Sequence, residues 1–145
     1  MAQNAETSRR FIEEAFNHGN LDVIDELTAE GFVDHDPLLG DQGKDEAKQS
    51  IAGYRDAFPD IHITIEDIFE AGDKVCMRWT GEGTFENEFM GLQPTGRKSD
   101  PVRGISIDRF DADGKVAESW GQWDTLTLMR NVGAIPEEAA APTGG

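Results

Sequence analysis

The sequence predicts an α+β fold in which N-terminal helices pack in the concave face of a curved antiparallel sheet. Three observations predict it. Apolar residues recur at helical spacing as far as Phe58, they alternate with period two from Ile61 onward, and turn signals cut that second half into long strands.

Glu6 to His18 reads as a helix, with Phe11, Ile12, Ala15 and Phe16 on one face and Gly19 where a helix commonly ends. Asn20 is expected to cap a second, short helix carrying Leu21, Ile24 and Leu27. Gly31 interrupts the pattern, and Phe32 to Leu39 reads as irregular chain or a short strand ending at Pro37. A third helix, Lys44 to Phe58, carries the stripe Ala47, Ile51, Tyr54 and Phe58 and is stopped by Pro59.

The strands follow. Ile61, Ile63 and Ile65 alternate with polar residues, as do Val75, Met77 and Trp79 after the turn Ala71-Gly72-Asp73. Gly91 to Arg97 is a loop. Val102 to Phe110 and Val116 to Trp123 are two further strands joined at Asp111-Ala112-Asp113-Gly114. Asp124 can cap a closing helix, Thr125 to Asn131. Residues 1–135 read as one domain and 136–145 as a disordered tail. A long sheet in a small domain must curl, and the mouth of the resulting cone is a natural ligand cavity.

Composition narrows the partners. The chain has 145 residues, 29 acidic against 13 basic, and a net charge of -16. Such a surface repels nucleic acid and anionic membranes, and no apolar run is long enough for a membrane span. The lone Cys76 excludes an internal disulfide, and without a visible leader the cytoplasm is the expected compartment. The charge balance resembles proteins adapted to high salt; an ordinary acidic surface is the other reading.

Hairpin geometry assigns faces. If Phe110 and Val116 pair across the turn, Ile107 lies opposite Ser119, Ile105 opposite Gly121 and Arg103 opposite Trp123. The expected inner face is then Arg103, Ile105, Ile107 and Trp123, with Ser119 and Gly121 making room and Met77 and Trp79 from the preceding strand. Ser106, Asp108, Glu118 and Gln122 fall outside, and Trp120 there suggests a homodimer surface. Arg103 could bind a ligand oxygen or pair at the cavity mouth with an acid. Trp79 and Trp123 could stack on a planar ligand or simply fill the core.

Asp34-His35-Asp36 is the densest titratable cluster. A His flanked by carboxylates can serve as a general base near neutral pH; a surface turn is the competing reading. No second His stands at ligand spacing, so no metal is expected. Asp124 is either a cavity acid or, more simply, a helix cap.

Several segments carry a family resemblance: Ala57-Phe58-Pro59-Asp60, Glu70-Ala71-Gly72-Asp73-Lys74-Val75, Arg78-Trp79, Phe89-Met90-Gly91, Pro94-Thr95-Gly96-Arg97 and Trp123-Asp124 with Arg130-Asn131-Val132-Gly133. In order and spacing, over about residues 6 to 135, they resemble the SnoaL-like polyketide cyclases. The resemblance implies the nuclear-transport-factor-like cone, usually dimeric, with a pocket inside it. It also implies cofactor-free chemistry on a carbonyl compound, an intramolecular aldol condensation using an Asp and a supporting His. Those two positions fall on Gly121 and Ile107.

The expected function is therefore binding of a small, apolar, carbonyl-bearing molecule, with acid–base chemistry of cyclase or isomerase type and no cofactor. His35, Asp34 and Asp124 are the candidate acids and bases, and Arg103 the stabiliser of negative charge. A non-catalytic binding or accessory domain stands as the alternative, as do hydroxylation-accessory and epoxide-hydrolase-like activities, the last needing an Asp-Arg-Asp set from Arg103 with Asp34 or Asp124.

Overall fold

The stripe Phe11-Ile12-Ala15-Phe16 lies on one continuous helix whose pitch changes midway. In the computed structural model, which describes residues 3–136, α1 (Gln3–Arg10) is α-helical and Phe11–Asn17 continues it as a π-helix. Asn17 anchors the end to the sheet: its amide donates to the Ile63 carbonyl at 3.0 Å and its oxygen accepts from the Ile63 N–H at 2.7 Å. Gly19 follows at φ 74°, and any side chain there would strike the Arg55 guanidinium, which itself donates to the Phe16 carbonyl.

α2 (Asp22–Leu27) buries Val23, Ile24 and Leu27. Asn20 does not cap it through its side chain, as the sequence suggested; Leu21 occupies the cap position and the Asn20 amide turns to Glu14. Of the two readings of Phe32 to Leu39, irregular chain or a short strand, the strand holds, but it begins earlier and is longer: β1 (Thr28–Asp36) has nine residues and turns back through β2 (Gly40–Gln42). The turn is held by Asp36, whose Oδ1 accepts the N–H groups of Leu38 and Leu39, each at 2.8 Å. α3 (Lys44–Ala57) then packs into the sheet through Ala47, Ile51 and Ala57, and its first turn is tied by Gly43 N–H donating to Glu46.

β3 (His62–Ala71), β4 (Lys74–Glu82), β5 (Val102–Phe110) and β6 (Val116–Trp123) complete one sheet of order β2-β1-β6-β5-β4-β3, and α4 (Thr125–Asn131) closes the chain. The sheet is mixed rather than wholly antiparallel, because β1 runs parallel to β6. Its edge strands β2 and β3 do not pair with each other, so it curves around the helices without closing. The core under the helices is built on Ile12, Phe32, Ile63, Met77, Phe110 and Val116. A second aromatic cluster, Phe58, Phe85 and Leu128 with Phe89 and Trp123, ties α3, α4 and the loop between β4 and β5 together. The tail expected at 136–145 lies outside the described residues apart from its first position.

One local irregularity changes the meaning of the whole sheet. Phe110 pairs with Val116 as expected, but the next pairs are Arg109 with Glu118, Asp108 with Ser119, Ser106 with Gly121 and Gly104 with Trp123. Ala117 is an extra residue in β6, a β-bulge that slips the hairpin register by one. The bulge turns Ser119, Gly121 and Trp123 of β6 to the face of Phe110, while β5, which has no extra residue, keeps period two from the buried Phe110, so its side chains face opposite to the expectation. Asp108, Ser106 and Gly104 point inward, while Arg103 is exposed and Ile105 and Ile107 are 50% and 37% exposed on the outer face.

Candidate functional site

The inward set of β5 and β6 opens a cavity of about 200 Å³ between the sheet, α3 and the first helix. Phe32, Ile63, Met77, Phe58 and Leu128 contribute its apolar walls. Two indoles enter because Gly104 has no side chain: a Cβ there would lie 2.4 Å from Trp79 Cζ2 and 2.7 Å from Trp123 Cβ. Both rings are pinned by their N–H groups. Trp79 donates to Ser106 Oγ at 3.0 Å and Trp123 to Asp36 Oδ2 at 3.2 Å.

The polar side of the cavity is a row of side chains across three strands. Register places Asp34 of β1 beside Ser119 of β6, and Ser119 beside Asp108 of β5. Asp108 is 7% exposed. Its carboxylate accepts from Ser8 Oγ at 2.6 Å and from Ser119 Oγ at 2.5 Å, so a residue of α1 reaches across the floor to satisfy it. Burial pushes the Asp108 carboxyl above the ordinary carboxylate range, against these two hydrogen bonds.

Asp34 differs in having no hydrogen-bond partner among the described residues. Desolvation first, then the negative charges of Asp36 and Asp108, push its carboxyl up to about 7. A carboxyl that titrates near neutrality can give or take a proton at cellular pH. Tyr54, on α3, also lines the cavity. Its hydroxyl is buried without a partner among the described residues, and burial holds it protonated well above the ordinary phenol range.

Of the residues singled out from sequence, Asp34, Met77, Trp79, Trp123 and Gly121 line the cavity. His35 does not. It follows Asp34 in an extended strand and so points the other way. Its Nδ1 lies 2.7 Å from Asp41 Oδ1, its Nε2 lies 2.6 Å from Glu118 Oε2, and its ring stacks on Trp120 at 5.7 Å. Asp124 caps α4, accepting from Thr127 N–H at 3.0 Å and from Thr127 Oγ1 at 2.6 Å, contacts that hold its carboxyl below the usual range. Arg103, Ile105 and Ile107 lie on the outer face because they are out of phase with the buried Phe110 on β5.

Sequence reasoning missed Asp108 and Ser106 as cavity residues, Gly104 as the gap that admits the two indoles, and Asp36 as a further cavity residue. A signal for the first three was present: Phe110 and Val116 are apolar and must face inward, and Phe110 shares its face with Asp108, Ser106 and Gly104 at period two. Among the described residues, no three His, Cys, Asp or Glu side chains converge to hold a metal ion, and no helix is long and apolar enough to cross a membrane.

A curved, open sheet wrapped on helices around an apolar cavity with a few converging polar groups defines the nuclear transport factor 2-like cone fold. The chain belongs to the SnoaL-like polyketide cyclase family, whose model matches residues 6–132. It is similar to AclR of Streptomyces galilaeus, described as a candidate hydroxylase, at 27% identity and TM-score 0.82, covering 94% of this chain and 99% of that one. It is similar to IdmH of Streptomyces antibioticus, a candidate polyketide cyclase, at 30% identity and TM-score 0.76, covering 90% and 99%. A SnoaL-like protein of Jannaschia sp. CCS1 matches at 27% identity and TM-score 0.80, covering 92% and 94%. No curated protein matches the chain.

Proposed function

We propose that the protein binds a small, largely apolar, carbonyl-bearing molecule in this cavity and moves a proton on it, as a cyclase or isomerase does, using only its own side chains. The observation that carries the reading is Asp34: a carboxylate facing a desolvated cavity, without a hydrogen-bond partner, with a proton affinity near neutral. In this reading Asp34 takes the acidic proton next to the carbonyl. The wall opposite excludes water, and the indoles of Trp79 and Trp123 hold a planar skeleton. His35, Asp124 and Arg103 have no part in it, and the Asp-Arg-Asp set of an epoxide hydrolase is not assembled because Arg103 faces outward.

The test is exchange of carbon-bound hydrogen. An enolisable aromatic ketone such as 2-tetralone, in D2O near neutral pH, should exchange its α-protons faster with the protein than without it. Asp34→Asn should remove that acceleration and leave ketone binding. Exchange unchanged in Asp34→Asn would remove Asp34 from the role.

The second reading is a binding or accessory domain without turnover. It is favoured by Gly121, a cavity position where the family resemblance places the catalytic Asp; Ile107, where the resemblance places the supporting His, faces outward. It predicts ligand binding with no acceleration of exchange at any pH.

We also propose that the protein is a homodimer. Phe69, Cys76, Ile107, Trp120 and His35 are successive cross-strand partners, forming a transverse row over five strands. Its apolar members Phe69, Ile107 and Trp120 are exposed, a pattern suited to a second copy. Light scattering should give twice the chain mass for the wild type, and Trp120→Glu should halve it; a wild-type monomer ends the idea.

A further inference from the structure

The charges around the cavity are of one sign. Asp34, Asp36, Glu82 and Asp108 line it, and no lysine, arginine or histidine does so among the described residues. Strand alternation is the cause: out of phase with the buried Phe110, Arg103 and Arg109 fall on the outside of β5, where Arg109 pairs with Glu118 at 3.2 Å. Asp36 and Asp108 are satisfied by hydrogen bonds from Trp123, from the Asp36 turn and from Ser8 and Ser119. Asp34 is not, and neither is the buried hydroxyl of Tyr54, which lines the same cavity.

We propose that the ligand carries a protonated amine, and that its ammonium group docks beside Asp34 with the rest of the molecule against the indoles of Trp79 and Trp123. The proposal rests on the cavity being the ligand site and not on any turnover there. An anion entering this cavity would meet several uncompensated negative charges at low dielectric, whereas an ammonium supplies the counter-charge they lack. Indoles are the best aromatic partners for a cation, and the Tyr54 oxygen can accept one ammonium hydrogen. The cation also brings Asp34 into its carboxylate form, the form that accepts a proton.

The experiment compares three molecules on one skeleton by titration calorimetry with the full chain: 1-naphthylmethylamine, 1-naphthylmethanol and 1-naphthoate. It is run near pH 7 in about 0.5 M NaCl, so that attraction to the acidic exterior is screened. The amine should bind at least about tenfold tighter than the alcohol, a difference on the order of 1.4 kcal/mol, and the naphthoate should not bind measurably. Because the Asp34 carboxyl sits at about 7, amine binding should release about half a proton, read from heats in buffers of different ionisation enthalpy.

Asp34→Asn should abolish both the preference and the proton release while the alcohol still binds. Should that variant misfold, the wild type answers alone. The preference must shrink from pH 8 to 5 as Asp34, with Asp36, Asp108 and Tyr54 facing it, loses negative charge. Equal binding of amine and alcohol, or a preference that survives in Asp34→Asn, overturns the proposal and leaves the ligand site standing. Binding of none of the three overturns both.

Discussion

Asp34 and Asp108 face one cavity from β1 and β5, with Ser119 of β6 between them in the same transverse row. They are sequence-distant, and only Asp108 is satisfied, by two hydroxyl donors. Desolvation first, then the charges of Asp36 and Asp108, raises the proton affinity of Asp34, which has no donors and is left near neutrality.

That arrangement lowers stability. The folded state disfavours ionised Asp34, so stability from this group is full below its unfolded value near 4 and is lost as pH rises to about 7. Asp34→Asn should therefore be more stable than wild type at pH 8, by about 1 to 3 kcal/mol against a ceiling of about 4. The gain should fade below about pH 4. Urea denaturation at the two pH values measures it; a variant less stable at pH 8 would show that the carboxylate has a partner.

Gly104 and Gly121 should respond differently. A Cβ at Gly104 collides with both indoles, whereas at Gly121 the nearest atoms are Trp123 Cδ1 at 3.8 Å and Ser106 Oγ at 3.9 Å, ordinary contacts. Gly104→Ala should cost about 1 to 3 kcal/mol through overpacking, and shift tryptophan fluorescence. Gly121→Ala should stay within about 0.5 kcal/mol. Equal effects in thermal melts would contradict the indole placement.

His35 gives a second pH dependence. Hydrogen bonds to Glu118 and then Asp41 raise its proton affinity above the ordinary imidazole value. The contribution is thus complete below about pH 6.5 and is lost as pH climbs through the raised folded value. Wild type and His35→Gln should differ most in denaturation midpoint below about pH 6 and converge in mildly alkaline buffer. A difference independent of pH would mean that stacking on Trp120, not charge, holds the ring.

Net charge of -16 predicts a response to salt. Screening relieves the self-repulsion of the folded chain, so the melting temperature should rise from low to molar NaCl. No rise would remove the high-salt reading of the composition.

Periodicity alone determined the α+β class, because burying one face imposes spacing 3.6 on helices and 2 on strands. Phe11 to Phe16, the α3 stripe and Val75-Met77-Trp79 each recorded their inner face in this way. The family motifs determined the cone. Two things were decided only by the folded chain. β1 has too little alternation to announce itself and exists as a strand because it lies parallel to β6, some 80 residues away, on a neighbour no local pattern names. The bulge at Ala117 then chose which half of β6 sees the cavity, bringing Ser119, Gly121 and Trp123 to the face of Phe110. A single extra residue reverses a two-residue period, and no local pattern announces it. Arg103, out of phase with the buried Phe110, and His35, out of phase with Asp34, ended outside, and Asp108, Ser106 and Gly104, in phase with Phe110, ended within.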